Sequence, residues 1–373
     1  MLPALKSDAL SLADVLKSCL GSILGEPNRL ALPAVDNAIV LLVDGLGADL
    51  LKARSGHARA LAAALTSKSV IESGFPTTTA AALASLTTGV APGQHGLVGY
   101  SVLDPANDRV VNQLSGWDDK LDPYTWQGVP TLFETAVSEG IEAIAIGPER
   151  YLDTGFTHAV LRGARYVPAA SIGDRMTRAI AELKKPGRHL VYLYVPELDQ
   201  AAHAHGADSA EWIRALETLD AATGTLTAAL GRRDGLLVTA DHGVLDIPQH
   251  AHVLLDGPLL DGVRFIAGEP RCLQLHAEPG TDVDALADRW REAEGHRAWV
   301  ATRAEAVDAG WFGDVRPEVL PRIGDVLVAA RKSIAYYDGR VTNPHGRGMV
   351  GQHGSWSAAE LRVPLLRFGA FGR

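Results

Sequence analysis

The sequence predicts an α/β fold in which a mostly parallel central sheet, flanked by helices, is interrupted by a smaller inserted αβ unit. Three observations carry that expectation. Short apolar runs at 38–43 (AIVLLV), 189–195 (HLVYLYV) and 235–240 (GLLVTA) have the length and unbroken hydrophobicity of strands buried on both faces, and each leads into an acid: Asp44, Asp199 or Asp241. TLFETAVSEG reads as a helix ending at Gly140, and IEAIAIG as the strand that follows, which is the alternation that builds parallel sheets. Between His242 and His353 the texture changes, through RCLQLHAEPGTDVDALADRWREAEGHRAWVATRAEAV and IGDVLVAARKSIAYYD, and a last strand of the main sheet resumes near Leu365. The expected organisation is a core of residues 1–244 and 351–373 with an inserted cap at 245–350.

The 373 residues are 47% hydrophobic and 21% charged, enough apolar side chain to bury a large core. A net charge of -9 and the lack of a basic block interleaved with aromatics remove the electrostatic driver for binding a nucleic-acid polymer. Cys19 and Cys272 stand far apart without a CxxC pair, so neither a disulfide framework nor a thiolate zinc site is expected; both read as buried thiols. In the N-terminal stretch, Lys6, Asp8, Asp14 and Lys17 interrupt the apolar residues as in an amphipathic helix. With no signal peptide or membrane span legible, the expectation is a cytoplasmic protein without a membrane partner.

In an open parallel sheet, ligands bind beyond the carboxyl ends of the strands, so acids placed there converge although distant in sequence. Asp44 closes its strand in LLVDGLG, where glycines permit a tight turn. Asp199 and His203 are spaced i,i+4, which puts carboxylate and imidazole on one helical face, within reach of one ion; His205 faces elsewhere. Asp241 and His242 follow a strand directly, and His353 lies between glycines in GQHGSWS. The remaining element is Gly74-Phe75-Pro76-Thr77-Thr78-Thr79 ahead of the helical run AAALASLTTG. One of the three threonines is needed as a cap, and the same helix N-terminus suits a phosphate, so any of them is a candidate nucleophile on these grounds.

Taken in order, Asp44, Thr77 to Thr79, Asp199 with His203, Asp241 with His242, and His353 resemble the alkaline phosphatase superfamily. FPTTTAAALASLTTGVAPGQHGL is similar to the segment of the nucleotide pyrophosphatase/phosphodiesterase (type I phosphodiesterase) family in which a nucleophilic threonine precedes a helix, a TG-x-x-P step and an HG pair. The resemblance implies an alkaline-phosphatase-like sheet and two divalent metal ions, Zn²⁺ with Mn²⁺ or Fe as alternatives. It assigns Asp199, His203 and His353 to one ion, Asp44, Asp241 and His242 to the other, and makes Thr79 both the nucleophile and a ligand toward the substrate. It further implies hydrolysis of phosphodiester or pyrophosphate bonds through a phosphothreonine intermediate, on a small phosphorylated substrate with nucleotides among the candidates.

Two departures from the family pattern bear on the substrate. Tyr100, in HGLVGY, stands where the family has an asparagine that helps to hold a phosphate oxygen; a phenol donates one hydrogen bond there. AAALA replaces a more aromatic, asparagine-containing stretch beside the nucleobase. The alternatives are a phosphonatase resembling phosphonoacetate hydrolase, a phosphomonoesterase, and a noncatalytic metal-containing module that binds a phosphorylated ligand. His250, His252, Trp117, Tyr124, Trp126 and Tyr151 are candidates for the pocket wall that would separate these readings, with core packing the commoner role for each aromatic.

Overall fold

A computed structural model describes residues 2–4, 8–341 and 344–372, and Lys6 lies outside them. The central sheet takes its strands from β1 (Asn37–Val43), β2 (Val70–Glu72), β3 (Glu142–Gly147), β4 (Arg165–Pro168), β5 (His189–Val195) and β6 (Asp234–Thr239). Within the inserted region lie β7 (Val263–Glu269), β8 (Cys272–Ala277), β9 (Ala298–Thr302) and β10 (Val326–Ala330), and β11 (Arg362–Gly369) returns to the central sheet. The helices that matter for the site are α1 (Ala13–Leu24), α2 (Thr79–Thr88), α3 (Leu132–Ser138), α4 (Gly155–Val160), α5 (Ile172–Leu183), α6 (Glu197–His205), α7 (Ala210–Ala228) and α8 (Val283–Glu294).

The seven-stranded order is β2-β11-β6-β1-β5-β3-β4. β1 lies between β5 and β6, parallel to both, with Val43 opposite Val195 and Leu42 opposite Thr239. This register brings the carboxyl ends of the three strands level, so the residues that follow them share one rim. Every residue of β1 is buried, which accounts for a strand that reads NAIVLLV without polar alternation. β11 is antiparallel to β6 and β2 and makes the sheet mixed at that edge.

Local signals place the helices. Thr131 and Glu134 form a reciprocal capping box at the start of α3, and Gly89 closes α2 in a left-handed conformation at φ 71°. α1 departs from the sequence expectation: it starts only at Ala13, and most of its surface is buried, including Asp14, Ser18 and Ser22. The polar positions pair inward instead of facing water, as where Ser11 N–H donates to Asp14 Oδ2 at 2.9 Å and Leu30 N–H to Ser18 Oγ at 3.3 Å. Cys19 and Cys272 are both buried free thiols.

Among the described residues, 245–350 contributes no strand to the central sheet. It holds an antiparallel sheet of its own, in the order β7-β8-β10-β9, covered by α8. Several contacts hold it against the core, two of them extensive. Phe75, Val98 and Trp356 of the core share an apolar cluster with Trp311, Phe312 and Ala329 of the insertion. Arg271, in the β7–β8 turn, donates from Nε and Nη2 to the two carboxylate oxygens of Glu360 at 2.7 and 2.8 Å, with both side chains fully buried.

Candidate active site

Asp44 leaves β1 with its N–H bonded to the Val195 carbonyl at 2.9 Å, so the end of the ladder fixes its direction. Gly45 follows at φ 73°, and a Cβ there would lie 3.0 Å from that of Asp199. The glycine is thus what allows α6 to approach β1 so closely. On the other flank of β1, Asp241 Oδ1 accepts the N–H groups of Gly45 at 3.1 Å and His242 at 2.9 Å, which locks the turn after β6 to the turn after β1.

Two clusters result. Asp44, Asp241 and His242 place one ligand atom each within 4.8 Å of one another, and so do Asp199, His203 and His353. The clusters abut: the rings of His242 and His353 stack with centroids 3.6 Å apart. His205, two residues beyond His203, is exposed. Backbone carbonyls orient the imidazoles. Nδ1 of His203 donates to Gly351 O at 2.7 Å and Nδ1 of His353 to Thr77 O at 2.8 Å, which leaves both Nε2 atoms directed at the cluster.

The electrostatics of the two clusters fit a bound cation. Burial, with Asp241 and Asp199 next to it, holds the Asp44 carboxyl well above the usual carboxylate range, although Tyr194 donates its hydroxyl to Asp44 Oδ2. Burial likewise pushes Asp241 up to about 6. Burial lowers His242 to about 4 and His353 to about 3, so both are neutral imidazoles ready to ligate. For Asp199, burial is outweighed by His203, which brings its pKa down; for His203, burial is outweighed by Asp199, which brings its pKa up. Asp44 Oδ1, Asp199 Oδ1 and Asp241 Oδ2 are buried without a hydrogen-bond partner, and such atoms are costly unless a cation or donor meets them. The donor set, all oxygen and imidazole nitrogen, fits divalent transition metals.

Thr79 is the first residue of α2, and its Oγ1 lies 3.2 Å from His242 Nε2, beside the cluster of Asp44, Asp241 and His242. Of the three threonines it is the one whose hydroxyl faces the ligands. Thr78 occupies the N-cap position without a capping bond from its side chain, and its Oγ1 is buried and unpartnered, so the expected side-chain cap is not formed. Thr77 serves another purpose: it donates to Ser355 O at 2.8 Å and accepts from Gly354 N–H at 3.1 Å, tying the segment before α2 to the loop that carries His353.

A cavity of about 390 Å³ opens from Thr79, Asp44, Asp199, His203 and His353. Tyr100 lines it, 39% exposed, with its N–H bonded to Glu269 Oε2 at 3.1 Å. Of the candidate wall residues only Tyr151 lines the cavity. Trp117 and Trp126 pack against the apolar clusters, Tyr124 is 56% exposed, His250 is exposed and His252 sits against Tyr337. Large aromatic surface is stabilised wherever it is covered, so aromatic identity alone did not say which side of the sheet covers it. Sequence reasoning missed Glu269, a buried acid of the insertion facing the cavity, whose burial pushes its pKa up to about 8. The available signal was an acid directly before Pro270 at the end of an apolar run.

A parallel sheet with carboxylates and imidazoles gathered over one rim, beside a threonine at a helix N-terminus, defines an alkaline-phosphatase-like α/β protein. The family model "Type I phosphodiesterase / nucleotide pyrophosphatase" matches residues 38–356, and the chain belongs to that family. The ectonucleotide pyrophosphatase/phosphodiesterase family member 3 of Rattus norvegicus is 28% identical over 179 residues, 46% of this chain and 20% of the relative. The chain therefore spans about a fifth of the length of that relative. A phosphopentomutase of Anaeromyxobacter sp. (strain K) is 31% identical over 115 residues, 30% of this chain and 28% of the relative. The solved structure of murine ectonucleotide pyrophosphatase/phosphodiesterase 5 superposes with a TM-score of 0.68 at 18% identity, covering 89% of this chain and 88% of that one. An inactive form of the murine protein in complex with AMP gives 0.69 at 17% identity, with the same coverage. At this identity the likeness is one of fold.

Proposed function

We propose that the protein is a hydrolase that uses two divalent metal ions, zinc in the first instance, to cleave phosphodiester or pyrophosphate bonds through a phosphothreonine intermediate. The observation that carries this reading is the Thr79 hydroxyl, set at the N-terminus of α2 and 3.2 Å from His242 Nε2, opening into the same cavity as both ligand clusters. Asp199, His203 and His353 would hold one ion, and Asp44, Asp241 and His242 the other, with Thr79 on the substrate side. Bound divalent cations supply charge neutralisation for phosphoryl oxygens and lower the pKa of a hydroxyl beside them.

The chain's own groups account for the rest. The N-terminus of α2 presents N–H groups without intrahelical partners to a phosphoryl oxygen and places Thr79 Oγ1 for in-line attack. The bond from Oγ1 to phosphorus forms as the bond to the leaving oxygen breaks, and the hydroxyl proton is balanced by the proton taken up by that oxygen. Water then attacks phosphorus, releases the second product and restores Thr79. Tyr100, at the rim, is assigned to substrate contact, and the insertion at 245–350 to a cap that closes over the cavity mouth.

Among the described residues no lysine or arginine lines the cavity, which supports monoanionic diesters over dianionic monoesters and over phosphonoacetate, whose carboxylate would need a cation. An intact Thr79 beside complete ligand sets disfavours a module that only binds. The test is kcat/KM for a nitrophenyl diester, the matched monoester and phosphonoacetate on one metal-loaded preparation, with and without chelator. A diester preference of at least tenfold, lost on chelation, is the expected result; a tenfold monoester preference, about 1.4 kcal/mol of transition-state discrimination, defeats the claim.

A further inference from the structure

The cavity extends well beyond what a phosphoryl group fills. Besides Thr79 its lining takes in Tyr192 and Tyr194 of β5, Ile146 of β3 and Tyr166 of β4, with the half-buried Leu114 and Phe156 and the buried Leu83, Val160 and Leu161 as its apolar part. Leu83 stands one turn along α2 from Thr79, while Phe156 and Val160 belong to α4, which packs against α2. The floor is aromatic: Tyr192 and Tyr194, alternate residues of β5, stack with centroids 6.3 Å apart, and Tyr151 meets Tyr194 edge-on at 5.8 Å.

Several polar groups of the lining are already engaged, while Thr78 Oγ1 and Glu269 Oε1 are buried without a hydrogen-bond partner. Tyr194 donates its hydroxyl to Asp44, Tyr166 donates to Pro148 O at 2.8 Å, and Tyr151 accepts from Gln200 at 3.4 Å. Among the tyrosine hydroxyls of the wall, only that of Tyr192 is buried without a partner. A nucleobase carries several donors and acceptors on its edges, and burying them unmatched is costly, whereas an alkyl or aryl group needs no partner and gains from every contact. A lining that is mainly apolar and aromatic thus gives a hydrocarbon continuous contact and a base few partners.

We propose that this chamber receives an uncharged apolar substituent of the reacting phosphodiester, an alkyl chain or a simple aromatic ring, in preference to a nucleoside. The inference rests on the phosphodiesterase reading of the site and specifies which diesters it takes. Substrates would then be ranked by how much hydrocarbon the substituent carries.

The experiment measures kcat/KM of the metal-loaded full chain for nitrophenyl phosphodiesters whose second substituent is methyl, butyl, octyl, phenyl or thymidine. The expected result is a rise of about two- to fourfold per methylene until the chamber is full, with the thymidine ester below the butyl ester. A flat series, or a thymidine ester that exceeds the octyl ester, overturns the proposal. Leu114→Asn, at a half-buried wall position, should flatten the slope of the series; an unchanged slope in the folded variant also counts against it. If no ester turns over, calorimetric binding of dimethyl, dibutyl and dioctyl phosphate separates the two readings. A Kd that tightens with chain length upholds the chamber while the catalytic assignment falls, and a Kd independent of length overturns the chamber.

Discussion

Phe75 and Trp356 stack face to face, with ring centroids 4.4 Å apart and planes inclined by 11°. Phe75 lies four residues before Thr79 and Trp356 three after His353, so one aromatic pair joins the segment carrying the candidate nucleophile to the loop carrying a candidate ligand. Trp311 of the insertion meets Phe75 edge-on at 4.9 Å and completes the clasp. Phe75→Ala should cost about 3–5 kcal/mol in chemical denaturation, the range for a buried aromatic. It should also lower the affinity of the centre that includes His353, read as a metal titration on the folded variant; an unchanged titration would confine the stack to packing.

The three threonines should separate by phenotype. Thr79→Ala should abolish turnover with folding and metal content nearly intact, because its hydroxyl faces the ligands. Thr77→Ala should cost about 1–3 kcal/mol, since the Gly354 N–H it bonds is buried, and should retain part of the activity. Thr78→Ala should be close to neutral in stability, as its hydroxyl makes no bond. Activity assays paired with urea unfolding check the order, and turnover surviving in Thr79→Ala would move the nucleophile.

Elemental analysis of the purified protein should find about two transition-metal ions per chain, one for each three-residue cluster with positions left for substrate. Asp199→Ala and Asp241→Ala should each lower the content by about one ion, from different clusters. No bound metal, together with no activation by added Zn²⁺ or Mn²⁺, would remove the dinuclear reading.

The Arg271–Glu360 pair should give the protein an acid limit. Burial opposes ionisation of Glu360, but Arg271 outweighs it and holds the pKa below the ordinary value near 4.5. A carboxyl lowered on folding contributes stability that is fully present above its unfolded pKa and is lost as pH falls through the folded one. Glu360→Gln should therefore cost about 3–5 kcal/mol at pH 7, because Arg271 stays buried beside a neutral partner, and should narrow the difference in stability between pH 7 and pH 4. Denaturant midpoints at the two pH values test this.

Much of the catalytic rim could be read from the chain because strand ends are legible: AIVLLV, HLVYLYV and GLLVTA each stop at the acid or turn that closes them, and parallel register does the rest. Asp44, Asp199 and Asp241 converge for that reason, and His203 follows from helical spacing. The chamber was not legible. Leu83, Val160 and Ile146 have the same character as residues sealed in the core, and nothing local distinguishes an apolar side chain that faces a cavity from one that faces another side chain. Glu269 escaped for a related reason: its partner, Tyr100, lies far away in sequence and is brought to it only by tertiary contact between the core and the insertion.

The place of the insertion in the chain also sets a timetable. Asp44, Asp199, Asp241 and His242 are all made before the insertion, whereas His353, Trp356, Glu360 and the antiparallel strand β11 are made after it. During synthesis the early segments can assemble the five parallel strands and the three acids, but the His353 cluster stays one ligand short, and the sheet lacks the strand that lies beside β6, until residues 351–369 have been made. The His353 cluster is thus assembled only after the whole insertion has been made, and a product terminated inside the insertion would lack one of its three candidate ligands.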